Sequence, residues 1–381
     1  MLPALKSGRP RLADVMPSCL EAISGQKNVL GLPAVNRAIV VLVDGLGASA
    51  LKARAGHARS LMSRLDSAAV IESGFPTTTA SALATITTGT LPGQHGMVGY
   101  SVRDIDNARV IKQLSGMDSR IDPAVWQPQP TIFERASVAG FDSVVIGPSR
   151  YRDTGFTHAV LRGARYLSAT SIVDRTERAA QWLKEAGPAG IAYVYIPELD
   201  MSGHADGSES PRWTSWLETI DAAIADLARS LGARDGLIVT ADHGVIDIPE
   251  RSHIHIDSEP ALLEGIEFIA GEPRCLQLYF DSNATEAHRA AVVSRWRESE
   301  QSRAWVATRD EAIAAGWFGS VRPDVLPRIG DILIAARKNV AYYDGRTVTS
   351  QTTHMIGQHG SFTAQEILVP LLRFGAFSQS R

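Results

Sequence analysis

The sequence predicts an α/β protein with a mainly parallel central sheet flanked by helices. Two observations lead to this fold class. Short apolar runs rich in β-branched residues alternate with longer amphipathic stretches, and the apolar runs are bounded by Gly, Pro or Asp. Such runs are typical of strands that are buried on both faces of a parallel sheet. Because strands that alternate with helices form βαβ units, the two observations together predict an α/β domain.

The predicted elements alternate along the chain. The apolar runs predict strands at 38–44, 143–148, 191–200 and 236–244. The amphipathic stretches predict helices at 48–65, 171–187 and 213–232. A glycine closes the second and the third of these helices, as expected where a chain leaves a helix.

The pattern changes between residues 251 and 345. This segment predicts two or three strands and one good helix, the helix in "ATEAHRAAVVSRWRESE". The alternating pattern of the main domain resumes at "GQHGSFTAQEILVPLL". We therefore divide the chain into an α/β core, residues 1–250 and 346–381, and a smaller α+β insertion, residues 251–345.

Composition argues against several kinds of partner. The chain has 381 residues, is 44% hydrophobic and carries a formal net charge of -3. It therefore lacks the basic character of a protein that binds nucleic-acid polymers, and no stretch approaches the roughly 18 apolar residues of a membrane span. Cys19 and Cys275 are the only cysteines, and residues 1–20 contain no apolar run of signal-peptide length. We expect a cytoplasmic protein without a nucleic-acid or membrane partner.

Acidic and histidine side chains lie at or just after the ends of the predicted strands. Ligands of open α/β sheets gather at the carboxyl ends of the strands, so we expect these residues to converge although they are far apart in sequence. They are Asp44, Asp200, His204, Asp242, His243 and, after the insertion, His359. Three Asp and three His make two sets of three ligands, which suits two zinc-like ions with an open position on each. Carboxylates combined with imidazoles favour zinc, manganese or iron over magnesium alone.

Each of these residues alone has a simpler structural explanation. An Asp that follows a strand is commonly a helix N-cap, which applies to Asp44. The "DHG" run at 242–244 also fits a turn, and a single histidine such as His204 is typical of a surface or a core. Six such residues at strand ends are hard to explain as caps. Among the other histidines we single out His253 and His354 as candidates to hold the ligands in place.

Three consecutive threonines, Thr77, Thr78 and Thr79, come directly after Pro76 and precede a predicted helix. One explanation is that a hydroxyl of this triplet is the N-cap of that helix. The other is that one threonine is a nucleophile, because metal coordination can activate a hydroxyl that is weak on its own. The N–H groups at the start of the helix could then hold an anionic phosphoryl group. The residues alone leave both explanations open.

Five motifs occur in a fixed order along most of the chain. They are "VVLVDGLG", "FPTTTASALATITTGTLPGQHGMVGY", "YIPELDMSGHADG", "TADHGV" and "GQHGSF". Each motif is weak alone, but five in order are highly specific. On these motifs the chain resembles the alkaline phosphatase superfamily and, within it, the nucleotide pyrophosphatase/phosphodiesterase branch.

The resemblance implies two metal sites and a nucleophile. One zinc ion would be held by residues Asp200, His204 and His359, and the other by Asp44, Asp242 and His243. Thr79 would be a further metal ligand. The family's nucleophilic threonine stands at the start of a helix that leads to "TG", and counting back from Thr88 and Gly89 places it at Thr79. Thr77 and Thr78 are then turn residues. The insertion at 251–345 would correspond to the smaller capping domain of the family.

The chain departs from the family at one position. Phosphodiesterases of the family carry an Asn that hydrogen-bonds a phosphate oxygen, and the same spacing from Thr79 falls on Tyr100. A Tyr hydroxyl donates one hydrogen bond, whereas an Asn amide has two donors. Tyr100 is therefore either a substrate-binding residue or an aromatic side chain packed near the site.

The resemblance implies a hydrolase that acts on phosphodiester or nucleotide pyrophosphate bonds through a covalent phosphothreonine intermediate. Its partner would be a small-molecule phosphoric ester or nucleotide. The alternatives on the same metal core are a phosphomonoesterase and a phosphonate hydrolase, and less favoured is a transferase or mutase. A noncatalytic metal-binding or nucleotide-binding protein is disfavoured, because Thr79 and all six ligands are present. The sequence leaves the bound metal and the oligomeric state open.

Overall fold

A computed structural model describes residues 1–5, 8–346 and 354–378 of the chain. The strands, in chain order, are β1 (Arg37–Val43), β2 (Val70–Glu72), β3 (Ser101–Asp104), β4 (Arg109–Lys112), β5 (Asp142–Gly147), β6 (Arg165–Ser168), β7 (Gly190–Ile196), β8 (Asp235–Thr240), β9 (Ile246–Asp247), β10 (His253–His255), β11 (Ile266–Glu272), β12 (Cys275–Phe280), β13 (Ala304–Thr308), β14 (Ile332–Ala336), β15 (Ala341–Tyr343), β16 (Gly357–Gln358) and β17 (Leu368–Gly375). The helices are α1 (Val15–Ile23), α2 (Ala48–Ala53), α3 (Arg59–Met62), α4 (Thr79–Thr88), α5 (Pro92–His95), α6 (Pro123–Trp126), α7 (Ile132–Val138), α8 (Gly155–Val160), α9 (Ile172–Glu185), α10 (Glu198–Asp206), α11 (Pro211–Arg229), α12 (Glu286–Glu300), α13 (Arg309–Ala314) and α14 (Ala364–Ile367).

The central sheet has seven strands in the order β2-β17-β8-β1-β7-β5-β6. Strand β1 pairs in parallel with β7 and β8, and β5 pairs in parallel with β6 and β7. Only β17 runs against its neighbours, β8 and β2. Helices α1, α7 and α9 pack against these strands. The predicted fold class, a mainly parallel sheet flanked by helices, is confirmed.

Most of the predicted elements form with small shifts of their ends. The predicted strands at 38–44, 143–148 and 236–244 correspond to β1, β5 and β8. The run at 191–200 divides instead, because β7 ends at Ile196 and α10 begins at Glu198. Helix α9 begins at a capping box, in which the Ser171 hydroxyl accepts from the Asp174 amide at 3.0 Å and the Asp174 carboxylate accepts from the Ser171 amide at 2.9 Å.

The single helix predicted for residues 48–65 is wrong. The segment forms α2, a 3-10 turn at 55–57 and the short α3. A tertiary contact explains the break, since the amides of Ser60 and Leu61 donate to the Asp221 carboxylate of α11 at 3.1 and 2.8 Å. Because these two amides bond a side chain, they do not need the backbone carbonyls that a continuous helix would offer them. The helix can therefore end at Arg54 without leaving the two amides unpaired.

The insertion contains more strands than predicted. Strands β11, β12, β14 and β13 form a four-stranded antiparallel sheet in that order, and α12 is the predicted helix. Alternate residues of β14 face opposite sides of this sheet. Ile332, Ile334 and Ala336 join an apolar cluster beneath α12, whereas Leu333 and Ala335 join the core of the main domain. The insertion therefore has a small core of its own and one face that packs on the α/β core, while boundaries at 250 and 346 stay a prediction.

The two cysteines do not form a disulfide bond. Cys19 on α1 and Cys275 on β12 are both buried free thiols. Burial raises the pKa of each thiol above its ordinary value, so both favour the unreactive protonated form. None of the described helices is both long enough and apolar enough to cross a membrane.

Strands β8, β1 and β7 lie side by side at the centre of the sheet. Because they are parallel, their carboxyl ends open on the same edge. The residues just after these three strands are therefore brought together, and this edge is where the predicted site residues are found.

Candidate active site

The structure brings all six predicted ligands together. Asp44 follows β1, and Asp242 and His243 follow β8. Asp200 and His204 lie one turn apart on α10, which follows β7 directly. His359 comes from a distant part of the chain, immediately after β16. Their ligand atoms form two overlapping groups, each within 4.8 Å, one of Asp44, Asp242 and His243 and one of Asp200, His243 and His359.

The first group is almost completely buried. His243 Nε2 lies 3.5 Å from Asp44 Oδ1 and 3.3 Å from Asp242 Oδ2. The other oxygen of each carboxylate is held by the protein. Asp242 Oδ1 accepts from the amides of Gly45 and His243, both at 3.0 Å, and Asp44 Oδ2 accepts from the hydroxyl of Tyr195.

His204 lies beside the second group. His204 Nε2 lies 3.2 Å from Asp200 Oδ2 and 3.3 Å from His359 Nε2. His359 Nε2 is 3.9 Å from the other oxygen of Asp200. The rings of His243 and His359 stack with their centroids 3.6 Å apart, which makes the two groups contiguous.

A backbone carbonyl lies within hydrogen-bond distance of Nδ1 in each of the three histidines. Nδ1 of His243 is 3.3 Å from the carbonyl of Gly244. Nδ1 of His204 bonds the carbonyl of Gly357 at 2.7 Å, and Nδ1 of His359 bonds the carbonyl of Thr77 at 2.8 Å. If each Nδ1 is the donor in these bonds, each Nε2 is left with a free lone pair that faces the cluster. Histidine ligands are commonly fixed by such bonds from the second ring nitrogen.

The arrangement fits divalent cations. Asp44 Oδ1, Asp200 Oδ1 and Asp242 Oδ2 are buried and have no hydrogen-bond partner within the described ranges. Burying charged oxygens without partners is strongly unfavourable, and among the described residues these three aspartates form ion pairs with histidines alone. Cations among these atoms would satisfy them, and the mixture of carboxylate and imidazole suits zinc, manganese or iron.

The pKa shifts within the cluster also favour bound cations. Burial, and then the Asp242 and Asp200 carboxylates, raise the pKa of Asp44 well above its ordinary value. Burial also acts to raise the pKa of Asp200, but His204 and then His359 outweigh it and bring that pKa below its ordinary value. Burial and the neighbouring His243 hold the pKa of His359 well below its usual range. Bound cations would favour ionised carboxylates and neutral imidazoles, which are the forms that ligate metals.

Thr79 is the first residue of α4 and lies beside the cluster. Its side chain is buried, and Oγ1 is 3.2 Å from His243 Nε2. Thr78 occupies the N-cap position, but its side chain makes no capping hydrogen bond. The first amides of a helix have no acceptor within the helix, so the N–H groups beside the Thr79 hydroxyl are available to an anion.

Thr77 does more than form the predicted turn. Its hydroxyl donates to the carbonyl of Ser361 at 2.8 Å and accepts from the amide of Gly360 at 3.0 Å. Together with the bond from His359 to the Thr77 carbonyl, these contacts join the threonine triplet to the segment that carries the last ligand.

Tyr100 lies just before β3 and is partly exposed. Its carbonyl accepts from the Gln113 amide at 2.8 Å, and the ammonium of Lys112 lies 5.9 Å from the centre of its ring. Among the contacts between described residues, none joins the Tyr100 hydroxyl to Thr79 or to the six ligands. Its role as a substrate-binding residue stays a prediction.

The two histidines singled out as supporting residues are not in contact with the cluster in this structure. His253 lies on β10, where its ring is 4.7 Å from that of Tyr343. His354 is exposed. Tyr195, whose hydroxyl donates to Asp44, was not predicted from the sequence. Its place within the predicted strand at 191–200 was the one signal available.

A glycine next to Asp44 allows the close packing of the site. Gly45 has φ +75, and a Cβ at this position would lie 2.9 Å from Asp200 Cβ and 3.0 Å from Asp200 Oδ1. A larger residue would therefore be strained in its backbone and would push Asp200 away. The glycine after Asp44 in "VVLVDGLG" thus serves the approach of β1 to α10.

The insertion also reaches the site. Glu272, the last residue of β11, is buried, and its Oε2 lies 4.0 Å from Nδ1 of His359. Burial, and to a lesser degree the Glu366 carboxylate, raise the pKa of Glu272 well above its ordinary value, while the Thr78 hydroxyl and the Tyr100 amide act to lower it. Nothing in the sequence pattern indicated this residue.

A family comparison agrees with the geometry. A model of the type I phosphodiesterase / nucleotide pyrophosphatase family matches residues 38–362. The chain belongs to this family. The matched range contains Thr79, Tyr100 and the six clustered residues, from Asp44 to His359.

Individual members of the family and of the wider fold are distant in sequence. A pyrophosphatase/phosphodiesterase of Schizosaccharomyces pombe is 24% identical over 231 residues, which are 58% of this chain and 47% of that protein. The chain thus spans about half the length of this relative. Murine ectonucleotide pyrophosphatase/phosphodiesterase 5 superposes with a TM-score of 0.69 at 18% identity, covering 89% of this chain and 88% of that one. Phosphonoacetate hydrolase from Sinorhizobium meliloti superposes with a TM-score of 0.68 at 18% identity, covering 90% and 91%.

Proposed function

We propose that this chain is a metal-dependent hydrolase of phosphodiester or nucleotide pyrophosphate bonds that acts through a covalent phosphothreonine at Thr79. One observation carries the proposal. A buried threonine hydroxyl lies at the N-terminus of a helix with no side-chain cap, 3.2 Å from a histidine of the cation-binding cluster. The proposed nucleophile thus lies next to a helix end that can bind a phosphoryl group and next to the proposed metal ligands.

The six clustered residues and Thr79 are assigned to two metal sites. Asp200, His204 and His359 would hold one ion, and Asp44, Asp242, His243 and Thr79 the other. Two bound ions would supply Lewis-acid stabilisation of the attacking and leaving oxygens. We propose zinc, with manganese or iron as alternatives, because the ligands are carboxylates and imidazoles.

Groups of the protein itself attack the phosphorus, bind the phosphoryl oxygens and orient the ligands. The Thr79 hydroxyl loses its proton to solvent as its oxygen bonds phosphorus, while the bond from phosphorus to the leaving oxygen breaks and that oxygen takes up a proton from water. Water then adds to the phosphorus of the phosphothreonine, the bond to the Thr79 oxygen breaks, and that oxygen regains a proton. The free amides at the start of α4 bind the phosphoryl oxygens and hold them in line with Thr79. The carbonyls of Gly357 and Thr77 and the hydroxyl of Tyr195 keep the ligands oriented throughout.

Two of the compared structures support this chemistry for proteins of the same fold. A murine ectonucleotide pyrophosphatase/phosphodiesterase 5 variant described as inactive, in which a threonine is replaced by alanine, is bound to AMP. The Sinorhizobium meliloti phosphonoacetate hydrolase is seen with phosphonoacetate. We therefore propose a small-molecule phosphoric ester or nucleotide as the substrate of this chain.

A second candidate is a phosphomonoesterase or phosphonate hydrolase on the same metal core. The observation in its favour is Tyr100, which stands where the resemblance places an Asn of phosphodiesterases and brings a single donor. The fold does not separate the two candidates, since the phosphodiesterase and the phosphonate hydrolase superpose equally well.

A panel of substrates tests the proposal. Protein of measured metal content is assayed on a p-nitrophenyl monoester, a diester, a nucleotide 5'-ester and a phosphonate. We expect the highest kcat/KM on the diester or the nucleotide ester. A preference for the monoester or the phosphonate would select the second candidate, and no hydrolysis of any of the four by metal-loaded protein would contradict both.

A further inference from the structure

Glu272 enters the active site from the insertion with one carboxyl oxygen that has no hydrogen-bond partner among the described residues. Its side chain is 7% exposed, and Oε1 is buried with no hydrogen bond to any described residue. Arg274, in the turn between β11 and β12, is engaged elsewhere, because its guanidinium bonds both oxygens of Glu366 at 3.1 and 2.8 Å. A buried carboxyl oxygen without a hydrogen bond is unfavourable, so the position of this side chain calls for an explanation.

The fold makes room for Glu272 at this point. Gly360 has φ +137, and a Cβ there would lie 2.6 Å from Cγ and 2.8 Å from Cδ of Glu272. Any larger residue next to His359 would thus displace the Glu272 side chain. The carboxyl group is seated between the last metal-binding segment and the start of α4.

Three elements of the proposed site face this carboxyl group. They are the hydroxyl of Thr78, the amide of Tyr100 and, at 4.0 Å from Oε2, Nδ1 of His359. Thr78 Oγ1 is itself buried without a hydrogen-bond partner in the described structure and does not cap α4. A donor and an acceptor that both lack partners therefore lie on facing segments, and a hydrogen bond from Thr78 to Glu272 would satisfy both.

We propose that Glu272 is a positioning residue for the reaction. Its carboxyl group accepts a hydrogen bond from Thr78 and thereby fixes the turn that presents Thr79. The same carboxyl group lies beside Nδ1 of His359. The insertion then contributes a positioning residue to the active site and does more than cover it. The inference rests on the proposed function for the role of Thr79, but the contact between Glu272 and Thr78 can be tested separately.

A double-mutant cycle tests the contact. We compare Glu272→Leu, Thr78→Val and the double variant by kcat on the best substrate of the panel, with thermal unfolding as a check of the fold. Each single change should lower kcat about 10- to 100-fold and leave KM within about threefold, since loss of a group that orients a reactive residue acts on the chemical step. The double variant should be no slower than the slower single variant. Glu272→Gln, which keeps an acceptor oxygen, should restore kcat to within about threefold of the wild type.

Glu300 provides a matched control. It is a buried carboxylate of the same insertion, but it bonds Arg303 and Tyr342 in the cluster beneath α12. Glu300→Leu should lower the unfolding temperature without a selective loss of kcat. Wild-type kcat in Glu272→Leu, or effects of Glu272→Leu and Thr78→Val that multiply in the double variant, would overturn the inference. If Glu272→Leu does not fold, Thr78→Val decides alone, because the inference requires its kcat to fall.

Metal retention gives a readout that does not depend on turnover. Glu272→Leu should lose the ion at the His359 side about 10-fold more readily than the wild type when both are dialysed against a chelator, whereas Glu300→Leu should not. Equal retention in Glu272→Leu and the wild type would contradict the contact with His359. If the wild type hydrolyses no substrate, the proposed function fails and this arm still decides the role of Glu272.

Discussion

Replacing Thr79 by alanine should nearly abolish hydrolysis while the protein stays folded. The change removes one hydrogen bond, that to His243, worth about 0.5–1.5 kcal/mol of stability. It also removes a buried methyl group worth about 0.8 kcal/mol, and alanine returns a few tenths of a kcal/mol, up to about 0.7, through its higher helix propensity. We therefore expect a net loss of about 1–2 kcal/mol in the free energy of unfolding, which a large domain tolerates.

The loss of rate should be far larger than this. If the Thr79 hydroxyl only donated a hydrogen bond to a charged phosphate, its removal would cost about 1.5–3 kcal/mol, or about 10- to 100-fold. A covalent nucleophile contributes more, and we expect at least about a 1000-fold loss, equivalent to about 4 kcal/mol of transition-state stabilisation. Thr79→Ser should keep part of the activity, because it retains the hydroxyl.

Thr85 provides the control on the same helix. It is buried like Thr79, and its hydroxyl also bonds the Nε2 of a buried histidine, His95, at 3.0 Å. Thr85→Ala should match Thr79→Ala in stability and keep near wild-type turnover. The assay combines steady-state rates, metal content, thermal unfolding and rapid acid quenching with labelled substrate. Label on Thr78, or a Thr79→Ala variant that retains most of the turnover, would refute the assignment.

The remaining predictions concern the metals, Tyr100 and the buried carboxylates. His359→Ala should lose at least one of about two bound ions together with activity, as measured by metal analysis, and full activity after exhaustive chelation would contradict the metal sites. Tyr100→Phe should lower kcat/KM about 10- to 100-fold, which corresponds to a hydrogen bond of about 1.5–3 kcal/mol to charged phosphate, and an unchanged value on every substrate would assign Tyr100 to packing. In metal-free protein, the raised pKa of Asp44 should destabilise the fold as pH rises above the ordinary Asp value of about 4, because the folded state then resists ionisation that the unfolded state allows. Asp44→Asn should therefore unfold at a higher temperature than the wild type at pH 7 without metal but not with it, and identical melting curves for both metal-free proteins would count against this reasoning.

The sequence was a good guide where structure arises from local pattern. Strands β1 and β8 are buried runs of β-branched residues, and a parallel sheet places the residues at their carboxyl ends on one edge. The convergence of Asp44, Asp242 and His243 could therefore be predicted without knowing the strand order. The helix that begins at Thr79 was likewise expected from pattern and motif, whereas the helix that carries Asp200 was not, because residues 191–200 were predicted as one strand.

The sequence was a poor guide where a distant contact decides the structure. The break after Arg54 depends on the carboxylate of Asp221, which is far along the chain and carries no local signal. Tyr195 and Glu272 lie on ordinary strands, and their nearness to Asp44 and His359 arises only from the folded arrangement. Residues that support ligands are therefore harder to predict than the ligands themselves.

The origin of His359 has a consequence for how the site is assembled. Five of the six ligands follow three adjacent strands of the central sheet, whereas His359 comes after the insertion in sequence. It is held in place by Thr77, through the Thr77 carbonyl and through the bonds of the Thr77 hydroxyl to Gly360 and Ser361. The second group of ligands is therefore complete only when the segment after the insertion docks on the turn before α4. A metal ion bound there would stabilise that docked arrangement, because it binds only the folded form in which the ligands meet.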